Sequence, residues 1–326
     1  MPEHRPVALF TRKHLPSPAL LDELRDAGLE PVHGSLESTG ASLTSVRVLF
    51  PGLERVERPV LEQFPNLGLV ALPATGTDSV DLEAAADLGI AVTHVPHQAT
   101  EEVATHALAL ILALLRNLPM YDADMKRGAW QSPENIVTPS RTSQMTLGVV
   151  GAGRIGTELV RIATPLFGEV IAFDPYLSSG GRNGDELTLV DSISELADRA
   201  DVLSLHVPRT PETERLMSEI DFARARTRYL INVSRGGLVE HAELLQHLAN
   251  GHLDGVGLDA FDPEPPRADD PLLSHPRVIG TPHRAFESVQ SWEAYATYPI
   301  RNAIAFMRGE ELPSPVGEPP RKGDRA

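Results

Sequence analysis

The stretch "TLGVVGAGRIGTELV", residues 146–160, is the natural starting point. An apolar run is followed at once by Gly151, Gly153 and Gly156 in a G-x-G-x-x-G pattern, and then by helical periodicity. Glycine-rich turns often match that pattern by chance, but between a strand and a helix it has a specific use. The first glycine permits a tight turn, the second lets a pyrophosphate approach the backbone, and the third lets helix and strand pack closely. The helix start, with Arg154 and Ile155 as its first residues, offers unbonded N–H groups and a partial positive charge to the phosphates.

The next strand, in "VIAFDPY" (170–176), ends on Asp174, 18 residues beyond Gly156. A carboxylate there accepts hydrogen bonds from the adenosine ribose hydroxyls and repels a 2′-phosphate. The next cation along the chain is Arg182, so the pattern points to NAD (NADH) in preference to NADP. An exposed turn acid before a proline is the plainer alternative for Asp174.

Alternation of strand and helix extends both ways from this motif. Downstream, "EVIAF" (169–173), "DVLSL" (201–205), "YLINV" (229–233), "GVGLDA" (255–260) and "RVIGTP" (277–282) are separated by helical stretches. That is one strand per roughly 25–30 residues, the pace of a doubly wound fold. Upstream, "VALFT" (7–11), "VRVLF" (46–50), "LGLVALP" (67–73) and "IAVTHV" (90–95) alternate with helical patterns, the first opened by a Ser17 cap. Between the two series lies "VATHALALILALLRNLP", Val103 to Pro119, read as a buried helix, a subunit interface, or both. Its apolar run of about 13 residues falls short of the ~20 needed to span a bilayer. A last helical pattern runs from Glu287 to Glu311, disturbed by Pro299, and the proline-rich tail after it reads as extended or disordered.

Composition narrows the partners. The 326 residues contain no cysteine, which excludes a disulfide framework, a thiolate nucleophile and a cysteine-bound metal. Absence of cysteine and of a signal-peptide pattern fits a cytoplasmic protein. With 29 basic against 45 acidic residues the net charge is −16, so phosphate backbones are repelled and nucleic acid is not expected as a partner, nor is a membrane. The 12 histidines are scattered, with no His-Glu-x-x-His or comparable spacing, so no metal is expected.

Several further motifs stand in one order: "ATGTDSVDLEAA" (74–85), the glycine loop, "INVSRGGLVE" (231–240), "GVGLDAFDPEPP" (255–266) and "TPHRA" (281–285). With these the chain resembles, over nearly its whole length, the D-2-hydroxyacid dehydrogenase family of NAD-dependent 2-oxo acid reductases. The resemblance implies an α/β fold in which a Rossmann dinucleotide-binding domain is inserted into a discontinuous flavodoxin-like domain. The expected boundaries are 1–99 plus 288–326 for the substrate domain and 100–287 for the NAD-binding domain, with the active site in the cleft. It also implies a homodimer formed through residues 100–145, including Trp130.

Carried over by position, the resemblance makes Arg235, Glu264 and His283 the catalytic set. Arg235 would hold the carboxylate of a small anionic 2-oxo or 2-hydroxy acid and polarise its carbonyl, as a planar guanidinium can. His283 would be the general acid in reduction and the base in oxidation. Glu264 would orient the imidazole and raise its pKa. Thr75 and Gly76 would offer backbone N–H groups to the substrate carboxylate. Asp259 would lie near the nicotinamide amide, with Val207, Val233, Ser234 and Arg235, the 283–286 turn and Thr75 lining the cofactor. Taken singly, His283 reads as a packed or solvated imidazole, Arg235 as a surface ion-pair partner and Glu264 as a solvated loop acid.

The chain departs from the family pattern around this set. Ser79 stands for the usual Asn, and Ala99 and Thr105 stand for an Asn and a Glu. Pro51 occupies the loop where phosphoglycerate dehydrogenases tend to carry an arginine. Arg284 follows the histidine and could face a second anionic group on the substrate, or pair with Glu287. These changes bear on the substrate more than on the reaction. Phosphite oxidation and an NAD-sensing, corepressor-like role are the alternatives, the latter disfavoured by the intact Arg–Glu–His set.

Overall fold

The computed structural model describes residues 5–12, 15–36, 42–52, 54–130, 137, 138, 140–177 and 187–317. Arg182 and the last nine residues of the expected disordered tail lie outside them. The chain divides into two compact units, Met1–Gln98 with Ser288–Ala326, and Ala99–Glu287.

The first unit is built on five parallel strands: β1 Val7–Phe10, β2 Glu30–His33, β3 Val46–Phe50, β4 Leu69–Ala71 and β5 Ala91–Thr93. Their order is β2-β1-β3-β4-β5. Successive side chains of a strand point to opposite faces, and both faces are covered here. Leu9, Leu49 and Val70 enter one apolar cluster, while Ala8, Phe10, Val48, Phe50 and Leu69 enter the other. Phe10 and Phe50 stack with ring centroids 4.2 Å apart. Strand β2 is not foreseen by the pattern reading. It is an edge strand, half-exposed, and carries Pro31, which removes a ladder donor and is tolerated at an edge. Ser17 takes the cap position before the helix Pro18–Asp26, but its side chain makes no capping bond.

The helix Val289–Arg308 closes the first unit, its N-terminus held by a reciprocal capping box between Ser288 and Ser291. Pro299 lies inside it without ending it. A proline has no N–H, so the carbonyl four residues earlier, that of Tyr295, loses its helical donor. Arg12, just past β1, directs Nη1 to that carbonyl at 3.5 Å.

The second unit carries seven parallel strands: β6 Thr146–Val150, β7 Glu169–Phe173, β8 Thr188–Leu189, β9 Val202–Leu205, β10 Tyr229–Asn232, β11 Gly255–Leu258 and β12 Val278–Gly280. Their order is β12-β11-β10-β9-β6-β7-β8, so the direction of winding reverses between β6 and β9. The crevice beyond the carboxyl ends of such strands, at the reversal, is where open α/β sheets bind ligands. The apolar helix spans Thr100–Leu115 and packs on the helix Arg154–Ala163 and on β10 and β11. It stops earlier than Pro119: Asn117 turns left-handed at φ 51° and a second helix, Leu118–Lys126, leaves at 62° to the first. Asn tolerates that conformation and Pro119 suits the first turn of a new helix. Among the described residues no single helix is long and apolar enough to cross a membrane.

Candidate active site

The glycine loop has the geometry its spacing predicts. Gly151 has φ +89°, and a side-chain carbon on it would lie 2.6 Å from Val207 Cγ1 and 2.9 Å from the His206 carbonyl oxygen. A carbon on Gly156 would lie 2.0 Å from the Gly151 carbonyl oxygen. Both glycines are therefore required by the protein's own packing. Gly153 is different: its φ is −67°, and nothing lies within 4 Å of the added carbon. No internal contact demands a glycine there, whereas a ligand approaching the backbone does. The N–H groups of Arg154 and Ile155 in the next turn donate to no described residue, as expected of an anion-binding helix start. These observations fit a dinucleotide pyrophosphate. Asp174, at the end of β7, accepts from the Ala152 N–H at 2.9 Å with Oδ2 and from the Tyr176 N–H at 2.9 Å with Oδ1. The carboxylate is thus fixed beside the glycine loop.

Arg235, Glu264 and His283 all stand beyond the carboxyl ends of β10, β11 and β12. His283 Nδ1 and Glu264 Oε2 are 2.8 Å apart, and Glu264 Oε1 accepts from the Phe261 N–H at 2.9 Å. The bond from Glu264 holds the imidazole of His283 above the usual histidine range; burial and the positive charge of Arg235 oppose it, the charges of Glu264 and Asp259 support it. Burial pushes the Glu264 carboxyl up, but the bonds from His283 and Phe261 and the charges of His283 and Arg235 outweigh it, and the net direction is down. Both shifts favour the imidazolium–carboxylate form of the pair, and Nε2 of His283 lies across the ring from the Nδ1 that meets Glu264.

His206 provides a contrast. Burial drives its imidazole down to about 3. Its Nε2 meets Ser204 Oγ at 2.8 Å, and its Nδ1 is enclosed without a partner among the described residues. It is a neutral strut beneath the glycine loop and not a proton carrier near neutral pH.

His283 itself has φ 53°, a left-handed conformation that costs a non-glycine residue about 1–3 kcal/mol. Asp259, 1% exposed, holds it there. The Asp259 carbonyl accepts from the His283 N–H at 2.9 Å. Its Oδ1 accepts from Thr281 Oγ1 at 2.6 Å and from the Arg284 N–H at 2.8 Å, and its Oδ2 from the Ala285 N–H at 2.9 Å. His106, on the apolar helix, reaches Thr281 Oγ1 at 3.0 Å. What the structure displays for Asp259 is this clasp on the turn. His106 and Thr281 were not singled out from the sequence, although a histidine interrupting an otherwise apolar helix was a signal.

Asn232 is another residue the motif reading passed over. Fully buried at the end of β10, it donates from Nδ2 to the Arg235 carbonyl at 2.7 Å and accepts the Ser234 N–H at 3.0 Å. Ser234 Oγ donates to the Leu205 carbonyl at 2.7 Å, and Val233 is buried. The 233–235 segment is thereby pinned between β9 and β10. Arg284 points Nη1 at Glu287 Oε1, 3.3 Å away, which is the ion pair that competes with the substrate role expected for it.

In the first unit, Thr75 and Gly76 follow β4. Thr75 Oγ1 lies 3.0 Å from the Tyr295 hydroxyl and the Thr75 carbonyl meets His94 Nδ1 at 2.9 Å. The N–H groups of Thr75 and Gly76 donate to no described residue. Among the described residues no group of three or more His, Asp or Glu side chains is arranged to hold a metal ion.

Comparison with known proteins agrees with this architecture. The profile of the family described as "D-isomer specific 2-hydroxyacid dehydrogenase, NAD binding domain" matches residues 108–285, more than half of the chain. The D-3-phosphoglycerate dehydrogenase of Methanocaldococcus jannaschii is 34% identical over 266 residues, 81% of this chain and 50% of that protein. The glycerate dehydrogenase of Methylorubrum extorquens is 34% identical over 257 residues, covering 77% of this chain and 79% of that one. Among solved structures, the NADPH-dependent glyoxylate/hydroxypyruvate reductase of Sinorhizobium meliloti, in complex with NADP and malonate, superposes with a TM-score of 0.84 at 31% identity. That match covers 97% of this chain and 98% of the other. The chain spans about half the length of the phosphoglycerate dehydrogenases it matches. Sequence, strand order and the Arg–Glu–His arrangement beside a glycine loop converge, and the chain belongs to the D-isomer specific 2-hydroxyacid dehydrogenase family.

Proposed function

We propose that this chain is an NAD-dependent oxidoreductase that interconverts a small 2-oxo acid and its D-2-hydroxy acid, with His283 as the acid and base. The observation that carries the reading is the 2.8 Å His283–Glu264 pair standing with Arg235 at the carboxyl edge of the glycine-loop sheet. Gly151, Gly153 and Gly156, the N–H groups of Arg154 and Ile155, Asp174 and Val207 would hold the dinucleotide. When bound, it supplies the hydride chemistry at C2.

The residues' own work follows from their charges. Arg235 offers a planar, permanently charged fork to the carboxylate and the adjacent carbonyl oxygen of the acid. His283, whose charged form Glu264 favours, carries the proton that the developing C2 alkoxide needs. In the oxidative direction the neutral imidazole takes the proton back, and Glu264 then stabilises the charge that forms.

Asp174, which would repel a 2′-phosphate, supports NAD in preference to NADP. The exposed apolar residues Leu118, Met125 and Trp130 support a homodimer through the 100–145 segment. Light scattering at micromolar concentration tests that, and a monomeric mass is the adverse result.

The test of the activity is NADH oxidation with glyoxylate, hydroxypyruvate, pyruvate, a branched 2-oxo acid and 3-phosphohydroxypyruvate. NADPH and the His283→Ala variant run in parallel. Turnover of one acid that requires His283 and prefers NADH is the expected result. Tight NADH binding without turnover of any 2-oxo acid overturns it, and phosphite then becomes the next substrate to assay.

A further inference from the structure

Glu264 and Arg235 lie on different loops, after β11 and β10. Arg209, on the loop after β9, lies against both. Its Nη2 is 3.0 Å from Asp262 Oδ2, two residues before Glu264. Its guanidinium also covers Gly237, two residues after Arg235. A side-chain carbon on Gly237 would lie 2.4 Å from Arg209 Cζ and 2.5 Å from Nε. Gly236, between Arg235 and Gly237, presses on the Glu264 loop from the other direction: a carbon there would lie 2.0 Å from the Phe261 carbonyl carbon. Arg209 is in turn aimed by Glu214, which accepts from Nε at 2.6 Å and from Nη2 at 2.8 Å.

We infer that Arg209 and Asp262 form a positioning pair that sets the spacing between the Arg235 guanidinium and the Glu264–His283 couple. The inference rests on the function proposed above for those three residues. Neither member touches the reacting atoms. Their action is to keep the two loops in register, so that the group holding the carboxylate and the group delivering the proton address the same substrate. An exposed ion pair of this kind contributes little to overall stability, whereas a misplacement of about 1 Å at a reacting centre can cost on the order of 100-fold in rate. The two bonds of Arg209 are therefore not equivalent. The one to Glu214 aims the guanidinium, and the one to Asp262 transmits its position to Glu264.

The experiment compares Arg209→Gln, Asp262→Ala, their double variant, Glu214→Gln and Arg209→Lys in the full chain. The readouts are steady-state rates with NADH and the acid turned over, NADH affinity by fluorescence, thermal midpoint, and the His283 imidazole titration by NMR. Arg209→Gln and Asp262→Ala should each lower kcat by about tenfold or more, the scale of a fraction of the misplacement cost. The double variant should lose no more than either single one. NADH affinity and thermal midpoint should stay near wild type, and the His283 pKa should fall toward its ordinary value. Glu214→Gln should lose less than Asp262→Ala, and Arg209→Lys should recover part of the loss. Additive losses, equal effects of Glu214→Gln and Asp262→Ala, or an unchanged His283 titration overturn the pair's role. So does a loss confined to NADH affinity. The NMR titration needs no turnover, so inactivity of the wild type on every acid counts against the proposed function alone.

Discussion

At the scale of single residues, charge and backbone conformation make the site. The raised His283 and lowered Glu264 have opposite signs of linkage. His283 contributes fully below its unfolded pKa and loses the contribution as pH rises through the higher folded value. Glu264 contributes above its unfolded value and loses it as pH falls through the lower folded one. The pair therefore stabilises most between the ordinary carboxylate and histidine ranges, and weakly, because both side chains are more than a third exposed. Its larger effect is on rate. Reductive kcat/KM should fall as pH rises through the elevated His283 pKa, and Glu264→Gln should move that limb to lower pH; an unmoved limb in the pH–rate profile argues against the couple. The glycines make a second residue-scale prediction. Gly153→Ala should leave the thermal midpoint unchanged while weakening NADH binding about tenfold or more, measured by fluorescence titration. Gly156→Ala should instead destabilise the fold, because its methyl would meet the Gly151 carbonyl. Asp259→Asn places an amide among N–H donors, and a buried group so mismatched costs about 1–3 kcal/mol. Denaturant midpoints and kcat should drop together.

At the scale of elements, a proline inside a helix is offset by an arginine just past a strand of the same unit. Pro299 leaves the Tyr295 carbonyl without its helical donor, and Arg12 reaches that carbonyl. Arg12→Leu should cost about 0.5–1.5 kcal/mol in denaturant unfolding, the usual net worth of one hydrogen bond. In a Pro299→Ala background the cost should shrink, since the restored N–H takes the acceptor. Equal costs in both backgrounds would contradict this account. The pattern of the helix was readable from Glu287 to Glu311, but its continuity through Pro299 was not, because the compensating donor is nearly 290 residues away in sequence. The break at Asn117 escaped for a related reason. The apolar run reads through it to Pro119, whereas the left-handed Asn117 and the 62° angle beyond it separate two helices. Strand β2 was hidden by its half-exposed, proline-bearing edge position.

At the scale of the whole molecule, the segment Ala99–Glu287 is continuous and has its own seven-stranded sheet and two apolar clusters. Expressed by itself it should unfold cooperatively and bind NADH, as checked by thermal melting and fluorescence titration. A featureless melting curve would contradict this reading of the segment.

Most of the strands and helices, and the glycine loop with its acid, were legible in the chain because each is a local matter, whereas Arg235, Glu264 and His283 stood out only through the resemblance, each reading singly as an ordinary residue. Periodicity records which face is buried, and a tight turn by a phosphate needs glycine wherever it occurs. The supports of the site were not legible. Asp259 clasping the His283 turn, His106 reaching Thr281, Asn232 pinning Arg235 and Arg209 bridging two loops are ordinary residues with no pattern of their own. Their roles arise when seven parallel strands bring their carboxyl ends to one edge, so that polar groups far apart in sequence must satisfy one another.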